Sequence, residues 1–467
     1  MVGGLSGQRM MIGLVIGIIL LVILVLKTKV HAFLALIISC AVVGVIGGMP
    51  IVDTTLENGT VFGIINSIKN GFGGTLGNIG IIIGFGVMMG QLFEVSGAAE
   101  KMAQTFLKLF GKKREEEALA LTGFLVSIPI FCDSGFVILA PIAKAISRVT
   151  KKSVISLGVA LAAGLVITHS LVPPTPGPLG VCGIFNYDVG KYILFSILLA
   201  LPMAVACLTY ARHLGKKYYQ IPNDHDEGFT RSAYQEANYD NTFSMTNKDL
   251  PSTLVAFGPL FLPIALILIS TITSALGATK GAMSIFQFLG SPIIAVGLGL
   301  ILAIFTLGRK LEKHEAVAEM EKGMMSAGII ILVTGGGGAL GRVIQDSGLG
   351  TYMAEHLVAA SVPIIILPLL ISTAMRFIQG SGTVAMTTAA SITAPIILAA
   401  GINPFLGVFA CCVGSLFFGY FNDSYFWVVN RTLGISEAKE QLTIWSVTST
   451  IAWAVGVVEL LVLNIFI

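Results

Sequence analysis

Along the chain, apolar residues gather in long runs separated by short polar stretches, and these runs rather than any strand-like alternation set the architecture. A helix needs about 20 mostly apolar residues to cross a hydrocarbon core of roughly 30 Å. Ten runs approach that length: 11–28, 31–47, 75–96, 153–184, 191–211, 252–276, 283–307, 324–345, 403–429 and 441–466. Two further apolar stretches do not fit the rule. Around Asp133 the arms 118–131 and 136–146 reach only about 15 to 20 Å at 1.5 Å per residue, which predicts a hairpin that turns back inside the membrane. The stretch 362–400 has arms near 25 Å by the same rise. Its reading as a second hairpin leans on an internal repeat.

Gly90-Gln-Leu-Phe-Glu-Val-Ser-Gly97 is matched 251 positions later by Gly341-Arg-Val-Ile-Gln-Asp-Ser-Gly348, and Ser134-Gly-Phe-Val137 is matched 247 positions later by Ser381-Gly-Thr-Val384. The shared order predicts a duplication, with residues 1–212 as a first transmembrane repeat and 251–467 as a second. Each half holds five crossings and one re-entrant hairpin. An odd number of crossings makes the second half inverted. The segment 213–250, mixed in charge and rich in Asn, Asp and Ser, reads as a solvated cytoplasmic linker of little structure.

Composition agrees with an all-α polytopic membrane protein. The 467 residues are 55% hydrophobic and 11% charged, whereas soluble domains carry about 25% charged residues. A net charge of +3 without a basic, aromatic-laced patch excludes nucleic acid as a partner and leaves the lipid bilayer. A second copy of the chain, as a homodimer, is a further candidate partner. Six cysteines sit in or beside apolar runs without metal-ligand spacing and read as packing residues. Most of the 28 basic residues fall on one face if the 27–30, 97–117, 146–153, 212–251, 308–323 and 430–440 loops share it. That face is cytoplasmic, so both termini lie outside. Lys112-Lys-Arg-Glu-Glu-Glu117 in one of these loops reads as a solvated helix entrance.

The candidate chemistry lies where polar, Gly-rich or Pro-rich segments interrupt the apolar runs, because such backbone is tolerated at membrane depth only where it is buried or lines water. There are four interruptions: 129–141, 168–178, 376–384 and 414–427. They predict broken helices at the site, whose ends suit an anion or a small cation. Arg376 offers a planar fork that matches a carboxylate. Asp133, Asp423 and His169 are the proton-coupling candidates, since an ionisable side chain at this depth is a functional hypothesis by default. Ser134, Thr168, Gln379, Ser381, Thr383 and Asn422 supply hydroxyls and amides for a polyhydroxylated ligand. Gly135 and Gly382 allow close backbone approach. Plainer roles exist for several of these: Asp133 and Arg376 pairing to fix a hairpin, Asp423 capping a helix, and Glu94 and Arg342 serving structure alone. Gly336, Gly338 and Gly341 match a dinucleotide-binding spacing without the surrounding strand and helix, so that match carries nothing.

At these residues the chain resembles the gluconate permease family, part of a larger superfamily of ion-coupled transporters with inverted repeats. The resemblance covers nearly the whole chain. It rests on Glu94-Val-Ser-Gly-Ala-Ala99, Phe131-Cys-Asp-Ser-Gly-Phe-Val137, Thr168-His169 with the prolines that follow, Gln379-Gly-Ser-Gly-Thr-Val-Ala385, and Asn422-Asp423 with Phe426-Trp427. It implies a non-enzymatic importer of gluconate or a related hydroxy-carboxylate in the bacterial inner membrane, driven by protons and without a cofactor. Sodium is the alternative coupling ion, and D-serine or hydroxybutyrate are alternative substrates. Two positions depart from the family pattern: Cys132-Asp133 stands where many members have Phe-Glu, and Thr175 where they have a second His.

Overall fold

A computed structural model of the chain describes residues 6–55, 61–111, 113–223, 228–236, 250–275, 283–359, 363–420 and 423–467. Apolar runs that must satisfy their own backbone in lipid become helices. The first half holds α1 (Gly7–Lys27), α2 (Ala32–Gly47), the ribbon β1 (Thr54–Thr55) with β2 (Val61–Phe62), α3 (Ile64–Val95), α4 (Ala98–Phe110) and α5 (Glu115–Val126). It continues with α6 (Cys132–Thr150), α7 (Val154–Leu171), α8 (Pro176–Phe185) and α9 (Val189–Lys217). A second ribbon, β3 (Gln220–Pro222) with β4 (Phe229–Arg231), follows. The second half holds α10 (Thr253–Ala275), α11 (Met283–Leu289), α12 (Pro292–Thr306), α13 (Lys313–Asp346), α14 (Leu349–Ala359) and α15 (Ile366–Gln379). It ends with α16 (Gly382–Ala399), α17 (Pro404–Gly414), α18 (Ser424–Thr432), α19 (Ala438–Gln441) and α20 (Val447–Phe466).

Among the described residues six helical segments are long and apolar enough to cross a membrane, or seven if the bent α3 counts as one span. Five of the six coincide with expected crossings; the sixth, Gly382–Ala399, is an arm of the second expected hairpin. Other expected crossings are short or broken. α2 has 16 residues, about 24 Å of helix. The run 403–429 divides into α17 and α18.

The element order repeats. α4 and α14 begin at 98 and 349, α5 and α15 at 115 and 366, α6 and α16 at 132 and 382, and α7 and α17 at 154 and 404. Contacts between the halves repeat as well. α3 packs along α13; α2 packs on α13 as α12 does on α3; α8 packs on α16 as α18 does on α6. Exchanging the halves maps these contacts onto one another. The central α3–α13 seam is close enough to require glycine, since a Cβ on Gly338 would lie 2.7 Å from the Gly71 carbonyl oxygen. α7 is buried on every side except at His169, which explains why its sequence is apolar all round.

Two polar segments depart from the expectation of solvated loops. In 213–250, α9 continues to Lys217 and the β3–β4 ribbon docks on helix ends. Buried Gln220 donates to the Leu433 carbonyl (2.6 Å) and accepts from Arg231 Nε (2.8 Å), while the terminal nitrogens of Arg231 hold Glu440 at 2.9 and 2.7 Å. Gln220 is polar because it satisfies a helix-end carbonyl and the Arg231 guanidinium, not because it faces water, whereas Arg231 remains half exposed. Residues 224–227 and 237–249 lie outside the described residues. The run at 112–117 departs too, for Glu115 and Glu116 are buried at 7% and 5% exposure. Lys152 bridges both, at 2.8 Å from Glu115, and Ser156 donates to Glu116 at 3.2 Å. Burial alone would lower the Lys152 pKa, but the two carboxylates outweigh it and hold it above its ordinary value.

Lys152→Met is expected to destabilise the protein by about 3 to 5 kcal/mol, because two buried carboxylates lose their cation. Thermal melting of the detergent-solubilised protein checks this, with Lys152→Arg expected to recover most of the loss.

Candidate functional site

Four interruptions build one site. α5 stops ahead of Pro129, and α6 restarts at Cys132 with Asp133 in its first turn. α15 closes on Gly380, whose φ of +80° is a left-handed conformation that favours glycine. Ser381 then caps α16 by accepting from the Val384 N–H. α7 ends at Leu171 because Pro173, Pro174 and Pro176 cannot continue it. α17 ends at Gly414, and Asp423 caps α18 by accepting from the Tyr425 N–H at 3.1 Å.

These ends enclose a cavity of about 370 Å³. First-turn residues of three helices line it: Cys132 and Asp133 of α6, Gly382 and Thr383 of α16, and Ser424 and Tyr425 of α18. Each N-terminus carries roughly half a positive charge on its N–H groups, which favours an anion, and the carboxylates of Asp133 and Asp423 already stand at two of them. Arg376, 6% exposed, reaches the same space. One terminal nitrogen donates to Asp423 at 2.5 Å, and the other donates to the Gly380 carbonyl. Gly419 leaves room for the pair, since a Cβ there would lie 2.8 Å from Asp423 and 2.9 Å from Arg376. Asp133 accepts from the Ser424 hydroxyl at 3.1 Å. Its other oxygen is buried, and among the described residues it has neither a hydrogen-bond partner nor an ion pair. His169 lies against Phe131 with ring centroids 5.8 Å apart, and its buried Nδ1 likewise has no partner among the described residues.

Asp133, His169, Arg376, Ser381, Gly382, Thr383 and Asp423 therefore share one cavity, as their positions in the interruptions led us to expect. Ser134, Gly135 and Thr168 do not line it. The Ser134 side chain faces Glu94. Gly135 sits against Leu165, and Thr168 is fully buried with its hydroxyl unpaired among the described residues. Thr175 is buried and donates to the Val172 carbonyl at 2.5 Å. The Gln379 side chain and Asn422 lie outside the described residues. The Arg376 fork holds Asp423, not Asp133. Ser415, Gly419 and Ser424 were missed. Ser424 had a signal, its place directly after Asp423; Gly419 had none that the chain order reveals.

Broken helices around a cavity with charged and hydroxyl groups, in a chain with several apolar crossings, define a multi-pass membrane transporter. Its architecture is shared with the YdaH transporter of Alcanivorax borkumensis, at a TM-score of 0.63 and 16% identity over 97% of this chain and 98% of that one. The chain belongs to the GntP family of permeases, whose family model matches residues 9–466. It is 48% identical to an uncharacterized permease of Haemophilus influenzae, over 97% of this chain and 92% of that protein. It is 33% identical to a gluconate permease of Pseudomonas aeruginosa, over 96% of each. The protein is a transporter and not an enzyme.

Asp423→Asn leaves Arg376 buried without its anion and is expected to cost about 3 to 5 kcal/mol of stability. Adding Arg376→Gln should cost less than the sum of the two single changes, by about 0.5 to 3 kcal/mol, in a double-mutant cycle read by thermal melting. Strict additivity would show that the two groups do not depend on each other.

Proposed function

We propose that the protein imports gluconate or a related small hydroxy-carboxylate with protons across the bacterial inner membrane. Both termini lie outside, and access alternates between two inverted halves. The observation that carries this reading is the meeting of three helix N-termini and buried Arg376 at one partly open cavity beside a carboxylate without an ion pair among the described residues. The N-termini and the guanidinium suit the substrate carboxylate. The Ser381, Thr383 and Ser424 hydroxyls suit the hydroxyl groups along its chain. A volume of about 370 Å³ falls within the usual range for a small ligand. The naming of the Pseudomonas aeruginosa relative as a gluconate permease supports the choice of substrate.

Coupling follows from charge. Arg376 and Asp423 neutralise each other at the cavity wall. A substrate carboxylate that takes an Arg376 nitrogen releases Asp423, and a proton on Asp423 or Asp133 restores the balance. His169, beside them, relays the proton. One monoanion with one proton moves no net charge, so membrane potential, worth about 2.3 kcal/mol per charge per 100 mV, does not drive it. The Asp133 oxygens with Ser424 also suit sodium, which makes sodium coupling the second reading.

Proteoliposomes given labelled gluconate are expected to accumulate it under an imposed pH gradient, and not under a potential or a sodium gradient alone. Accumulation driven by sodium alone would replace the proton reading. Asp133→Asn keeps the size of the side chain but fixes it neutral. Gradient-driven uptake should then fall to background, while exchange of internal for external substrate persists with weaker pH dependence. Equal loss of both activities in folded protein would reduce Asp133 to a scaffold residue.

A further inference from the structure

A second cavity, of about 340 Å³, lies at the far ends of helices that line the first. α13 borders the central cavity with Ile329 and Val333 and the second with Gly338, Gly341 and Arg342. α16 borders one with Thr383 and Val384 and the other with Ala394 and Pro395. Five residues of α13, from Val333 to Gly338, and ten of α16, from Val384 to Ala394, separate the two, roughly 7.5 and 15 Å of helix. The layer between them is made of small groups. Gly180 of α8 faces Thr334 and Thr387, and a Cβ on Gly180 would lie 3.0 and 3.2 Å from their methyl groups. Thr387 and Ser391 turn their hydroxyls onto their own helix, at 2.8 and 2.6 Å from the Thr383 and Thr387 carbonyls. The buried Thr334 hydroxyl has no partner among the described residues. Met386 of α16 packs against α8 in the same layer, where a Cβ on Gly177 would lie 2.8 Å from its sulfur.

The polar lining of the second cavity is Asn70, Thr75, Asn186, Arg342 and Gln345, without a carboxylate among its described lining residues. Asp346 stands behind it. Arg342 Nε holds one Asp346 oxygen at 2.8 Å, and Ser67 donates to the other at 2.7 Å. The terminal nitrogens of Arg342 make no hydrogen bond among the described residues, and its side chain is 44% exposed. A guanidinium has five donors in a fixed fork, so Asp346 can keep Nε while the outer pair receives a second carboxylate.

We infer that this cavity is an outer capture site for small carboxylates on the path to the central cavity. Arg342 is its recognition residue, and the layer of Thr334, Thr387 and Ser391 is the gate between the two. The distribution of basic loops puts this end of α13 outside. The site rests on the transport reading for the identity of its ligand, but its charge selectivity is measurable without transport.

All six cysteines are buried, so a thiol at Gln345→Cys is the exposed one in liposome-embedded protein. Anionic sulfonatoethyl and cationic trimethylammonioethyl methanethiosulfonates of similar size serve as probes, with Ile51→Cys, 69% exposed, as the reference thiol. The ratio of anionic to cationic labelling rates is expected to be about tenfold higher at 345 than at 51, and to fall to the reference value when Arg342→Gln is added. Gluconate should slow labelling at 345, and should still do so when Arg376→Lys has weakened the central site. In uptake, Arg342→Gln should raise the KM for external gluconate about five- to tenfold, with a smaller change in maximal rate. A labelling ratio that ignores Arg342, in protein that transports gluconate, overturns the capture site and leaves the transport reading standing. Charge-selective labelling in protein that transports no hydroxy-carboxylate overturns the transport reading and keeps an anion site at Arg342.

Discussion

A guanidinium and a carboxylate buried against each other hold the functional centre together. Arg376 comes from the last turn of α15 and Asp423 from the cap of α18, so their contact ties the tip of one hairpin to the restart of a broken helix. Through Arg376 the bond extends to the Gly380 carbonyl, and so to the turn that aims α16 at the cavity. Gly419 lies directly against the pair, and its own N–H and carbonyl are held by Ser449 and Ser446 at 3.0 and 2.6 Å. Four segments are thereby set by one ion pair. Burying such a pair costs several kcal/mol per ion in desolvation, and an apolar pair of similar volume would often hold as well. Its retention at the cavity fits a group that must exchange partners.

The two halves share a scaffold but not a chemistry. Asp133 and Thr383 each occupy the second position of a helix, α6 and α16, that begins at the cavity. One half presents a carboxylate there and the other a hydroxyl. His169 near the end of α7 has Gly419 at the corresponding place 250 positions on, where any side chain would strike the ion pair. A repeated architecture lets helix ends converge twice; divergence at these few positions sets a carboxylate and a histidine from one half against a guanidinium from the other. The asymmetry reaches outward, where Arg342 lies in the stretch that repeats the one around Glu94.

Much of this was readable from residue order. Apolar runs forecast helices because each must satisfy its own backbone and bury its side chains in lipid or protein, which are local requirements. The same reasoning marked the interruptions, and Asp133, His169, Arg376 and Asp423 stood out because an ionisable group inside an apolar run carries a cost whatever its partner. The repeated order of helix starts was legible because short matching segments recur in the same order. What the tertiary structure alone decided was pairing. Arg376 took Asp423, 47 positions on, instead of Asp133; Glu115 and Glu116 were buried by Lys152; the linker's Gln220 and Arg231 found Leu433 and Glu440. Each choice depends on which helix ends meet after packing, and polar composition reads the same whether a side chain faces water or a buried partner. The second cavity was hidden for that reason too, since its walls come from four helices far apart in the chain.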